Sequence, residues 1–252
     1  MIKLDKITAG YEDHVVLQEL SASFEKGSLT SIIGINGCGK STLLKTILNM
    51  VPLQGGEVCI DGTSLQSMSR KPIAQKVAYL SQEKSIPDMT VEQMVLHGRF
   101  PYLSYPRRYT AQDREIVIQA MKQMGITAFA QKRLQTLSGG MRQDAYIAMA
   151  LAQNTDYILM DEPTTFLDIS HQLGLMKTLR NLADSGKGII TVMHDLPMAF
   201  TFSNRILLLH NGRVACCDTP KNICNREILE EIFGVRIVAE EDGERYHYQY
   251  EY

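Results

Sequence analysis

The sequence predicts an α/β fold in which a mostly parallel sheet, covered by helices, is interrupted by a helical insert. Three observations lead there. An apolar run, "TSII", passes through a glycine-rich stretch, "GINGCGKST", into helical periodicity. Further short apolar runs, "YILMD" and "GIITVMHD", return much later with helical sequence between them. In the interval from about Val91 to Asn154 strand signals thin out, and patterns such as "DREIVIQAMKQMGI" are helical.

The elements follow in order. "IKLDKITAGY" and "VVLQELSASFEKG" read as strands, and Lys26-Gly27 is a turn before the strand "SLTSIIG". Residues 40–50 form a helix with Leu43, Leu44, Ile47 and Leu48 on one face, closed by Pro52. "GEVCIDG" and "KVAYLSQ" return to strand character, and "RFPYLSYPRRY" interrupts the helical stretch that follows. "RILLLHNGRVACCD" is a hairpin turning at Asn211-Gly212, the dipeptide suited to a two-residue turn. The tail "VRIVAEEDGERYHYQYEY" is a last hairpin around Asp242-Gly243, in which tyrosines 246, 248, 250 and 252 share one face. The expected organisation is an α/β core at 1–85 and 156–235, a helical subdomain at 86–155 and a C-terminal hairpin at 236–252.

Composition excludes several classes. With 252 residues, 44% hydrophobic and 21% charged, the chain can bury a sizeable core. A net charge of −2 gives no support to nucleic-acid binding. No apolar run reaches the roughly 18 residues of a membrane span, and "MIKLDKITAGY" has no secretory apolar segment, so a cytosolic chain is expected. Five cysteines (Cys38, Cys59, Cys216, Cys217, Cys224) show no CxxC pair or zinc spacing and are expected to be free thiols.

Two motifs carry chemistry. Gly34, Gly39, Lys40 and Ser41 match GxxxxGK[ST], in which glycines let backbone N–H groups curl around phosphate oxygens. The helix starting at Lys40 would add its positive end, Lys40 would reach the β- and γ-phosphates, and the Ser41 hydroxyl would bind Mg²⁺. Asp161 and Glu162 lie at the C-terminal end of the apolar strand 157–160, where α/β sheets place ligands. One carboxylate is expected to face magnesium and the next to accept a proton from the attacking water.

With "LSGG" at 137–140 added, these motifs resemble the nucleotide-binding subunit of ATP-binding cassette (ABC) transporters over nearly the whole chain. The resemblance implies a P-loop NTPase core with N-terminal antiparallel strands and a helical subdomain inserted between the glutamine loop and the strand ending at Asp161. It also implies ATP and Mg²⁺ as ligands. Tyr11 would stack on adenine, and Gly34, Asn36, Gly37, Cys38, Gly39, Lys40, Ser41 and Thr42 would wrap the phosphates. Gln82 would join Ser41 and Asp161 at Mg²⁺ and link it to membrane subunits. His194 would reach the γ-phosphate, and Glu162 would be the base.

In such proteins two cassettes pair head to tail, so Ser138, Gly139 and Gly140 would contact ATP held by a second copy, with Asp168 speaking across the dimer. Integral membrane permeases and, indirectly, a substrate-binding protein are implied partners, and no nucleic acid. The chain would sit peripherally on the cytoplasmic face of the membrane. "HGRFPYLS" and "DEPTTFLDISHQ" look like bacterial importer ATPases for ferric siderophores, haem and cobalamin. The alternative is a soluble, non-transport ABC ATPase such as one of iron–sulfur cluster assembly.

Departures from the family pattern are Ile35 and Cys38 in the loop, Met141 after the signature and Asp144 in place of a frequent basic residue. None removes a ligand. Cys38, near Lys40 and a helix N-terminus, is expected to be more acidic than a free thiol and open to alkylation. His171 is assigned no chemistry.

Overall fold

The computed structural model describes residues 1–252 apart from 13, 83–85, 225, 243–244 and 252, and describes no side chains at 241–247. The chain forms two compact units, one of residues 1–68 and 176–252, the other of residues 69–175.

The first unit begins with β1 (Ile2–Tyr11), β2 (His14–Phe24), β3 (Ser28–Ile33), α1 (Lys40–Ile47), β4 (Leu53–Ile60) and β5 (Thr63–Ser64). β1 pairs antiparallel with β2 and β4, and β4 with β5, giving the order β2-β1-β4-β5. Ile2, Leu4, Ile7 and Ala9 turn to the core. The step from Leu4 to Ile7 breaks strict alternation because the register shifts there, with Lys6 at φ 45°. α1 stops before Met50, since Asn49 adopts a left-handed φ of 57°.

The second unit holds α2 (Arg70–Lys76), β6 (Val77–Leu80), α3 (Val91–His97), α4 (Ala111–Gln123), α5 (Gly139–Ala152) and β7 (Tyr157–Asp161). β6 and β7 run parallel, with Leu80 opposite Met160. Capping boxes start α3 (Thr90 with Gln93) and α4 (Thr110 with Asp113), so both helix starts are written in local sequence. Arg99 fastens the three helices together. Its guanidinium is buried, pairs with Asp113 at 2.9 Å, donates to Ala152 O at 2.9 Å and lies 4.0 Å over the Tyr102 ring.

The chain re-enters the first unit within α6 (Ile169–Asp184) and continues through β8 (Gly188–Val192), α7 (Leu196–Phe202), β9 (Arg205–His210), β10 (Arg213–Asp218), α8 (Pro220–Cys224), α9 (Ile228–Phe233), β11 (Arg236–Asp242) and β12 (Arg245–Glu251). β3 lies between β8 and β9, parallel to both, and β10 closes the edge antiparallel to β9. β3 and β8 are buried almost throughout, as a parallel sheet covered on both faces requires. Asn211 and Gly212 both take positive φ (47° and 72°), the geometry the Asn-Gly turn predicts. β11 and β12 pair as the expected terminal hairpin, and Tyr248 packs edge-on against Phe200 of α7 at 5.4 Å. The turn at Gly243 and the positions of Tyr246 and Tyr252 lie outside the described side chains. All five cysteines are free thiols, as their spacing implies.

Candidate active site

In the first unit the site is the loop 34–39 between β3 and α1. Lys40 is 6% exposed, and its Nζ donates to Gly34 O at 2.8 Å and Ile35 O at 3.0 Å. The loop is thus curled around its own ammonium, with residues 35–37 exposed at the tip. Two glycines are demanded by this shape. Gly39, at φ 108°, begins α1, and a Cβ on Gly34 would lie 2.3 Å from Leu209 O. The donor set suits a polyphosphate: exposed loop backbone, a helix start and an ammonium with two of its three N–H bonds on loop carbonyls.

His194 follows β8 at the same sheet end. Ile32 of β3 pairs with Val192, and Met193 N donates to Ile32 O at 3.1 Å, so the chain at His194 leaves β8 beside the start of the loop. Asp195 caps α7 by accepting from Met198 N at 2.8 Å, which fixes where His194 leaves the strand. Tyr11 stands at the end of β1, 44% exposed, an accessible aromatic surface. Thr42 is buried and Ser41 half-buried in the first turn of α1.

The structure corrects the expectation for Cys38. Its thiol is 5% exposed, and burial pushes it above the ordinary thiol range; the pull of Lys40 opposes this but is the smaller effect. The loop is held from distant parts of the chain: Gly34 packs against the Leu209 carbonyl, and Gly212 N donates to Cys38 O at 3.2 Å.

In the second unit Asp161 ends β7 and is 4% exposed. Glu162 follows with φ 51°, an uncommon conformation for a non-glycine residue and one concentrated at functional sites. Because Leu80 and Met160 are in register, Gln82 and Glu162 leave their strands side by side, and Gln82 Nε2 donates to Glu162 Oε2 at 2.6 Å. Thr165 Oγ1 donates to the same oxygen at 3.2 Å. Ser138 caps α5, accepting from Met141 N at 3.3 Å, and leaves Gly139 and Gly140 as the first turn. Gln143 of that helix donates to Pro163 O at 2.7 Å, tying the signature to the carboxylate strand end.

Asp168 accepts from His171 N at 2.9 Å and meets His171 Nδ1 at 2.8 Å, and these bonds hold its carboxyl below the usual range. Gln143, Thr165 and His171 are site residues that sequence reasoning missed. His171 carried one usable signal, its place three residues after an aspartate at a helix start. Among the described residues no group of three or more His, Cys, Asp or Glu side chains forms a metal cage. Within the second unit, Asp161 and Gln82 offer a carboxylate and an amide oxygen, donor types that suit Mg²⁺, which commonly takes few protein ligands and completes its shell with phosphates and water.

A family model described as "ABC transporter" matches residues 17–165. The ferric enterobactin transport ATP-binding protein of Escherichia coli K12 is 39% identical over 94% of this chain and 89% of its own length. The iron(3+)-hydroxamate import ATP-binding protein of Bacillus subtilis 168 is 39% identical over 93% and 88%. Among solved structures, an inward-facing ABC transporter of metal-chelate type superposes with TM-score 0.85 at 25% identity, covering 99% of this chain and 96% of that one. A dimeric ATP-binding cassette holding ADP and phosphate gives TM-score 0.76 at 28% identity, covering 87% and 99%.

Proposed function

The chain belongs to the ABC transporter family of ATP-binding subunits, and from that premise we propose that this ATPase drives import of an iron complex, a ferric siderophore. The observation that carries the cargo is the run of relatives at 35–39% identity named for import or transport of enterobactin, hydroxamates, petrobactin or a siderophore. None is named for cluster assembly, which counts against the soluble alternative. No described helix is long and apolar enough to cross a membrane, so import calls for separate permease subunits, with this chain bound at their cytoplasmic face.

The proposed chemistry assigns each residue a task. The amides of residues 34–39 and the Lys40 ammonium hold the phosphates, with Asn36, Gly37, Cys38 and Thr42 lining that loop, while Tyr11 offers its ring to adenine. Ser41, Asp161 and Gln82 supply oxygens for Mg²⁺, which neutralises phosphate charge when bound. Glu162 takes the proton of the attacking water, and the Gln82 and Thr165 bonds to its Oε2 orient the carboxylate. His194 and Lys40 stabilise charge on the transferred group. Ser138, Gly139 and Gly140 serve the nucleotide of a second copy, with Asp168 at the same face, and the solved dimeric relative supports such pairing.

The test is uptake of radioactive ferric siderophore by cells lacking the chain and resupplied with wild type or Glu162→Gln, alongside the ATPase rate of the purified importer. Wild type should restore uptake and co-purify with a polytopic membrane protein. Glu162→Gln should bind ATP yet lose about 10²–10⁴-fold in turnover. Near wild-type hydrolysis by Glu162→Gln would remove the base assignment, and soluble partners alone would remove the importer reading.

A further inference from the structure

We propose that His171 is a positioning residue that locks Asp168 and the first turn of the signature helix α5 into one preassembled face. The inference rests on the reading of Asp168 and of residues 138–140 given under the proposed function. Three features of the second unit carry it. His171 satisfies both oxygens of the Asp168 carboxylate, through its backbone N–H (2.9 Å) and its ring Nδ1 (2.8 Å). A carboxylate gripped twice by one residue has a fixed rotamer.

The opposite edge of the same ring lies on α5. A Cβ built on Gly140 would fall 2.8 Å from His171 Cδ2 and 2.9 Å from Nε2, whereas one on Gly139 would meet nothing within 4 Å. The two signature glycines therefore do different things. Gly139 leaves open space, and Gly140 leaves room for an imidazole of its own chain.

Asp144, one helical turn beyond Gly140 on α5, has its carboxyl raised to about 6 by burial, with His171 acting in the opposite direction. The ring thus sits between Asp168 and Gly140, and it spans two elements distant in sequence. Moving it would release the Asp168 rotamer and the entry of α5 together. A displacement of about 1 Å in a catalytic constellation is enough to cost on the order of 10²-fold in rate.

The experiment uses the complete importer, with ATPase turnover measured for His171→Ala, His171→Asn, Gly140→Ala and the double variant His171→Ala with Gly140→Ala. His171→Ala should lower kcat by about tenfold or more, with KM for ATP within twofold, because the loop 34–39 is untouched. Asn, whose amide can donate from near the Nδ1 position, should recover most of that loss. Gly140→Ala should be damaging alone, and its added loss should be clearly smaller once the ring is gone, the remainder reflecting the contact of Gly140 with nucleotide.

Unchanged kcat in His171→Ala overturns the proposal. So does an Asn variant no better than Ala, or Gly140→Ala losses that multiply fully in the double variant. Wild type and Glu162→Gln run beside them. If wild type hydrolyses no ATP, or Glu162→Gln turns over normally, the site reading itself fails; if both behave and His171→Ala is silent, only the role of His171 falls.

Discussion

Arg99→Ala should destabilise the helical part of the second unit more than any surface substitution. The guanidinium and the Asp113 carboxylate are 8% and 9% exposed and 2.9 Å apart, and the same guanidinium holds Ala152 O and covers Tyr102. Removing one partner of a buried ion pair costs about 3–5 kcal/mol, because the other charge stays behind without compensation. Asp113 is partly protected: it still accepts from Thr110 N at 2.9 Å and Thr110 Oγ1 at 2.8 Å. The loss should therefore fall near the lower limit, about 3 kcal/mol, a large fraction of the 5–15 kcal/mol typical of a domain. Burial works to raise the Asp113 carboxyl, but the Thr110 amide and Arg99 outweigh it and hold it below 3.8. That part of the stability is present above pH 3.8 and is lost as pH falls through the lower native value.

The assay is equilibrium urea unfolding, with hydrogen exchange to localise the change to α3, α4 and α5. Arg99→Lys should recover only part of the loss, since a single ammonium cannot serve Asp113, Ala152 and the Tyr102 face at once. In a double-mutant cycle with Asp113→Asn, the combined loss should fall short of the sum by roughly 1 kcal/mol or more. An Arg99→Ala loss below about 0.5 kcal/mol, the range of ordinary surface changes, would refute the reasoning.

Two more outcomes follow from the thiol and carboxylate environments. Asp144 holds its proton in the folded chain up to about pH 6 against 3.8 when unfolded, so its contribution to stability declines as pH rises between those values and stays reduced above. Asp144→Asn should gain about 1 kcal/mol at pH 8, after discounting for solvent screening, and nothing at pH 4; equal melting shifts at both would contradict the assigned burial. Cys38 should react with maleimide at least about tenfold more slowly in the folded chain than in urea, with Cys38→Ser identifying the labelled peptide. Fast labelling of Cys38 in the native, nucleotide-free protein would restore the acidic-thiol expectation.

Features whose causes lie within a few residues were legible in the sequence. The loop at 34–41, the Asn211-Gly212 hairpin and the carboxylates at the end of β7 all depend on local spacing and backbone preference, and the structure forms each of them. Cys38 misled for a physical reason: a lysine two residues away is visible in sequence, but the burial that outweighs its pull on the thiol is not. Arg99 read as part of an importer-like segment, and only packing reveals that Asp113 and Ala152 are what it binds.

The sequence alone therefore determined the α/β class, the nucleotide chemistry and the family, because motif chemistry is set by residues a few positions apart. Tertiary structure alone decided that the Cys38 thiol is buried, that Gln82 grips Glu162, and that His171 fills the space Gly140 leaves open. Burial and proximity are summed over neighbours brought from distant parts of the chain, and no local window contains them.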